Sequence, residues 1–206
     1  MELDKIADMT QGDLRRFIVN LLASDPGAIP RQPVPDVAQP GMVPLADIRL
    51  TALATQIDFP AIPGTFAHLM VVANLRSNQA VDTSGVLMRF NDDSSALYQY
   101  QLLEAVGATP SSSAANSQTS AAIGVAPGNT AGATNFSTTE ILISNYASDK
   151  WKTFKSHSGA NAVQNYIRLS SGVWVNTSPI TKVSIISIGS FNIGSRATLY
   201  GLNGLL

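Results

Sequence analysis

Cysteine is missing altogether from the 206 residues, which excludes a disulfide framework and a thiolate metal centre. Charge is scarce: 13 Lys and Arg stand against 14 Asp and Glu, for a formal net charge of -1. Without a basic surplus, electrostatics gives no reason to expect nucleic acid or an anionic membrane as partner. No apolar run approaches the ~20 residues of a membrane-spanning helix. The opening Met1-Glu-Leu-Asp-Lys-Ile-Ala-Asp8 has neither the basic nor the long apolar region of a secretory leader, so none is expected.

The motifs of catalysis are missing as well. No Gly-x-Ser-x-Gly elbow, Walker loop or dinucleotide fingerprint occurs. The carboxylates Asp58, Asp82, Glu104, Glu140 and Asp149 stand singly in separate segments, not as the pair that glycoside hydrolysis needs. The two histidines, His68 in an apolar stretch and His157 beside Lys155 and Ser158, have no carboxylate at ligand spacing. Asn91-Asp92-Asp93-Ser94 offers oxygen ligands, yet it lacks the Asp-x-Asp-x-Asp-Gly spacing and distal Glu of a calcium loop, and a turn is the stronger reading. The expectation is a protein that is not an enzyme and holds no cofactor or metal.

What is present begins with an amphipathic helix. Leu14, Phe17, Ile18, Leu21 and Leu22 recur at i, i+3, i+4, i+7 and i+8, with Thr10 as N-cap and Ser24-Asp25-Pro26-Gly27 as the stop. Residues 1–25 are therefore expected to form a helical unit, and those five apolar side chains are its candidate partner-docking face. From Pro26 to Pro44 six prolines recur, a composition that neither continues a helix nor fills a sheet. Residues 26–47 accordingly read as an extended arm.

Residues 48–206 read as β structure. Strand patterning runs through Ile48–Asp58, Phe66–Leu75, Val86–Phe90, Leu97–Ala105, Thr138–Ser144, Trp151–His157 and Gln164–Val175, with Asn91–Ser95 as a hairpin turn. Gly107–Asn135, uncharged and rich in Ala, Ser, Thr and Gly, reads as a long surface loop in which only Ala122–Ala126 could form a short strand. Near the end Val183 and Ile185 alternate with polar neighbours, and Ile186 and Ile188 point to the other face, implying cover on both sides. Gly189 and Gly194 then mark a corner where the chain changes sheets, before Ala197, Leu199 and Gly201 alternate with Arg196, Thr198 and Tyr200. Eight or nine strands without intervening helices predict an antiparallel, jelly-roll-like β-sandwich with Leu69, Val71, Ile141, Val183, Ile185 and Leu199 in its core. Trp151, Trp174, Tyr98, Tyr100, Tyr146 and Tyr166 could form a sugar-binding platform, but aromatics on strands are more often core or cross-strand pairs.

Two pieces carry a resemblance. Gly194-Ser-Arg-Ala-Thr-Leu-Tyr-Gly-Leu202 and Gly85-Val-Leu-Met-Arg-Phe-Asn-Asp-Asp-Ser94, the latter followed by Ala96-Leu-Tyr98, are similar to the closing strand and a hairpin of small β-sandwich proteins in the virions of tailed bacteriophages. The likeness spans roughly residues 48 to 202. It implies a virion protein made in the host cytoplasm: a head decoration, fibre or tail component, contacting other virion proteins through the N-terminal helix and arm. It also implies a homotrimer; the uncharged 107–135 segment independently suits contact between copies. The alternative is a receptor of the virion that binds a host-surface glycan. No nucleic acid or membrane partner is expected.

Overall fold

The computed structural model describes residues 41–203. The expected helix, with Leu14, Phe17, Ile18, Leu21 and Leu22, and most of the proline-rich arm lie outside the described residues.

Among the described residues twelve strands form: β1 (Met42–Arg49), β2 (Ala54–Phe59), β3 (His68–Leu75), β4 (Thr83–Phe90), β5 (Tyr98–Val106), β6 (Thr109–Gln118), β7 (Ala121–Pro127), β8 (Ser137–Ser144), β9 (Lys152–Asn161), β10 (Asn165–Trp174), β11 (Val183–Phe191) and β12 (Arg196–Leu202). They pair antiparallel in two sheets, one of eight strands in the order β1-β12-β3-β8-β9-β10-β5-β6 and one of four in the order β2-β11-β4-β7. Apart from the hairpins β5–β6, β8–β9 and β9–β10, every connection carries the chain from one sheet to the other. The fold is a mainly-β sandwich.

Alternation builds the core. Leu69, Val71, Ala73 and Leu75 of β3, Ile141 and Ile143 of β8, and Ala197 and Leu199 of β12 turn inward from the large sheet. They meet Ile57, Phe59, Val86, Met88, Phe90, Val183 and Ile185 of the small one. All six core positions expected from the sequence are buried, and each such side chain contributes roughly 1.5–3 kcal/mol of burial before ordering costs. The predicted corner also holds: β11 ends in the small sheet, Gly194 takes φ +90°, and β12 enters the large sheet between β1 and β3.

Four local expectations change. The stretch Ile48–Asp58 is two strands in different sheets, and β1 starts at Met42, inside the expected arm. Pro44 is accommodated because β1 is an edge strand whose register shifts between Pro44 and Ala46. Asn91–Ser95 is not a hairpin turn, for β4 pairs with β11 and β7 whereas β5 pairs with β10 and β6. It is a crossover between sheets, with Asn91 and Asp92 at φ 51° and 56° and the Asn91 side-chain oxygen accepting from the Thr181 and Lys182 N–H groups. Ile188 is 60% exposed rather than covered.

The largest change concerns 107–135: the short strand expected at Ala122–Ala126 forms as β7, but Thr109–Gln118 is a further strand, β6, where a loop was expected. Every residue of β7 is buried. β7 hydrogen-bonds to β4 on one side, and its other side lies against the inner face of the large sheet, where side chains replace a partner strand. Ser170, Ser156, Arg168 and Ser158 donate to the carbonyls of Ala122, Ile123, Gly124 and Val125 in succession. The approach is closest at Gly124, and Ala121, Ala122 and Ala126 on either side of it let the strand lie against that face.

Candidate functional site

The positions that alternate with the core on β3, β8, β9, β10 and β5 form the outer face of the large sheet. Register places Met70, Leu142, Lys155, Ser171 and Gln101 side by side in one row. The next row is Val72, Glu140, His157, Leu169 and Leu103. Directly opposed residues on adjacent strands stand roughly 4.5–5.5 Å apart at Cβ, so each row is a continuous surface. With Leu202 at one end, the two rows, Val72 apart, line a shallow groove of about 750 Å³. Leu103, Leu169 and Ile167 remain 54%, 45% and 47% exposed beside it, a contiguous aliphatic patch where solvent-facing strand positions are ordinarily polar.

Polar and aliphatic side chains are mixed along the groove: Lys155 and His157 of β9 stand between Met70 and Leu142 on one side and Leu103 and Leu169 on the other. Glu140 and His157 face each other across β8 and β9, with Lys155 one step along. Among the described residues none of the three enters an ion pair. No group of three or more His, Asp or Glu capable of holding a metal occurs among the described residues. Such a surface can take a partner's apolar side chains while Gln101, Glu140, Lys155, His157 and Ser171 meet its polar ones.

The other candidates of the sequence fall elsewhere. His68 accepts from the Asn145 N–H through Nδ1 at 3.1 Å, fixing the turn after β8. Tyr98 and Trp174 are buried with Phe90 in a core cluster whose ring centroids lie 5.6 to 6.3 Å apart. The Tyr98 hydroxyl accepts from the Phe90 N–H at 2.9 Å, and burial drives its pKa upward. Tyr146 is buried too, its hydroxyl donating to the Pro63 carbonyl, and burial raises its pKa. Of the six aromatics, only Trp151 is well exposed, at 58%. The Asn91–Ser94 oxygens are engaged in structure: Asp92 pairs with Lys182 at 2.8 Å, and Asp93 accepts from the Trp174 indole N–H at 2.8 Å.

Leu103, Ile167, Leu169, Met70 and Leu142 did not stand out in the sequence as a site. The one signal was aliphatic residues at the solvent-side positions of β10 and β5, and only the strand order brings them together. Comparison with family models, curated proteins and solved structures gives no match to this chain.

Proposed function

We propose that the chain is a non-enzymatic structural component of a tailed-phage virion, a jelly-roll-like sandwich docked on the particle through the helix bearing Leu14, Phe17, Ile18, Leu21 and Leu22 and the arm that follows. The strand order is the observation that carries this reading. A jelly roll interlocks Greek keys so that successive strands alternate between two sheets. The order β2-β11-β4-β7 fits one sheet of that plan; β3, β5 and β6 fit the other, the β8–β10 meander stands in the place of a single strand, and β1 and β12 extend the edge. Virus shells and lectins use this architecture, and the closing-strand resemblance favours the virion. Head decoration, fibre and tail component all remain within the proposal.

Deleting residues 1–40 and following incorporation into particles tests it. The proposal expects the shortened chain to keep its β signature and cooperative melting while incorporation is lost, and Phe17→Asp with Leu21→Asp to act likewise. Full incorporation of both variants would refute docking through this segment.

A second reading, a virion receptor for host glycan, is favoured by the groove, where donors and acceptors stand among aliphatic side chains. A glycan array on the full chain tests it: a defined sugar preference lost on Glu140→Gln with His157→Ala would support it, and no binding would end it.

A further inference from the structure

The eight-stranded sheet ends in two unlike edges. At one end β1 is blunted in the ways natural edge strands usually are. Pro44 removes a donor, the register shifts beside it, and Asp47 is tied by Arg196 and Thr198, each at 2.7 Å.

At the other end β6, Thr109-Pro-Ser-Ser-Ser-Ala-Ala-Asn-Ser-Gln118, carries such irregularity only near its ends: its register against β5 shifts between Ala115 and Gln118, where Ser117 takes φ 55°, and the run between Ser111 and Ala115 is regular. It holds no charged residue, and its one proline stands second. Among the described residues it pairs only with β5, so alternate N–H and C=O groups along its far side face outward in a row. None of its ten residues is buried. Such a strand gains almost nothing from apolar burial, and a ladder on one side alone is a marginal reason for ten residues to stay extended. The exposed ladder specifies its partner's chemistry: another extended, uncharged strand with small side chains.

We propose that this partner is β6 of a second copy, the two strands pairing antiparallel about a two-fold axis perpendicular to the sheet. An interface of one strand with itself is self-complementary under that symmetry. The central run Ser111 to Asn116 opposes only small uncharged residues in any nearby register, so no like charges meet and no large side chain must move. The same axis keeps both outer faces on one side of the joined sheet. Ser112 lies opposite Leu103, and Leu103 opposite Leu169, so the aliphatic patches of the two copies flank a narrow strip of Ser and Ala. β6 thereby becomes a central strand. The assembly has two-fold symmetry in place of the three-fold symmetry implied by the phage resemblance.

This inference goes beyond the virion reading, and the purified full-length chain tests it without particles. Sedimentation at micromolar concentration should give twice the chain mass. Ser112→Lys with Ala114→Lys, which places like charges across the axis on one face, should give the single-chain mass with an unchanged far-UV spectrum. A wild-type mass of one or three chains would overturn the proposal, as would a lysine variant that keeps the wild-type mass. Should that variant misfold, hydrogen exchange on the wild type still decides. Amides of residues 109–116 should exchange more slowly as concentration rises through the association range; exchange there that ignores concentration refutes pairing at this edge, even if dimers form elsewhere.

Discussion

Gly124 of β7 and Ser158 of β9 approach so closely that a Cβ on the glycine would stand 2.7 Å from the serine hydroxyl oxygen and 2.9 Å from the serine Cβ. The Thr139 hydroxyl would lie 3.0 Å away. These neighbours cannot simply rotate clear. The Ser158 hydroxyl accepts from the Val125 N–H at 3.2 Å and lies 2.9 Å from the Thr139 hydroxyl, so displacing it breaks bonds that hold β7 to the large sheet.

Gly124→Ala is therefore expected to lower stability by about 1–3 kcal/mol, the usual cost of overpacking a filled interior. At roughly 2–4 °C per kcal/mol for a chain of this size, calorimetry should see the melting temperature fall by several degrees. An unchanged melting temperature would mean that the sheets are not in contact at this point.

Asp93 supports a pH prediction. Burial pushes its carboxyl upward, but hydrogen bonds from the Ser95 hydroxyl and N–H, the Trp174 indole and Asn176 outweigh that, and its pKa stands below the ordinary value. A carboxylate depressed in the folded state stabilises it above the unfolded pKa, and that contribution disappears as pH falls through the folded pKa. Asp93→Asn should therefore cost on the order of 1 kcal/mol near pH 7, and the deficit should shrink on titration below about pH 4, where the wild type loses the same charge. Paired melting curves read by circular dichroism would show this; a deficit independent of pH would mean that the bond to the indole does not need the charge.

The sequence made some of this legible and hid the rest for physical reasons. β3, β8 and β12 were readable because one face is buried and the other is not, so Leu69, Val71, Ile141 and Leu199 fall at alternate positions. β7, read only as a possible short strand at Ala122–Ala126, is buried all round and so shows no alternation; β6 buries nothing, so it shows none either. Pairing was not readable from turn chemistry, because Asn91 and Asp92 favour the same backbone shape whether the chain folds back on itself or crosses to the other sheet. The groove was hidden for a related reason: Leu103 and Leu169 are distant in sequence and become neighbours only once β5 is known to lie beside β10. The helix face from Leu14 to Leu22, the one site that the sequence named outright, lies outside the described residues.

Arg76 is nearly buried and forms no ion pair among the described residues. Its guanidinium donates to the carbonyls of Ala131, Gly132 and Asn135 at 3.1, 2.6 and 3.2 Å, gathering the connection between β7 and β8. Arg76→Ala should leave these acceptors short of donors at about 1–3 kcal/mol for each one that water cannot reach. Limited proteolysis should then cut within residues 128–136 well before the wild type is cut there. Arg76→Lys, a point donor without the planar fork, should rescue only part of the resistance; full protection in the alanine variant would show that the connection holds its shape unaided.

Ending the chain after Ile193 removes β12, which lies between β1 and β3 and hydrogen-bonds to both. Two ladders are lost together. β1 is left with no strand beside it, while the backbone groups that β3 presented to β12 become unpaired. Ala197 and Leu199 leave the core, and the lining of Val71 and Ile141 opens to water. The Ser195 hydroxyl goes as well, and with it the bond it accepts from the Arg76 N–H at 3.1 Å inside the corner. Against a net stability of about 5–15 kcal/mol for an ordinary domain, the loss of a central strand is more than the remainder can absorb, so the truncated chain should not fold. Circular dichroism and a melting curve would decide: a soluble truncation that melts cooperatively would show that the sandwich is held by the contacts of the other eleven strands and that β12 is an addition to a fold already closed.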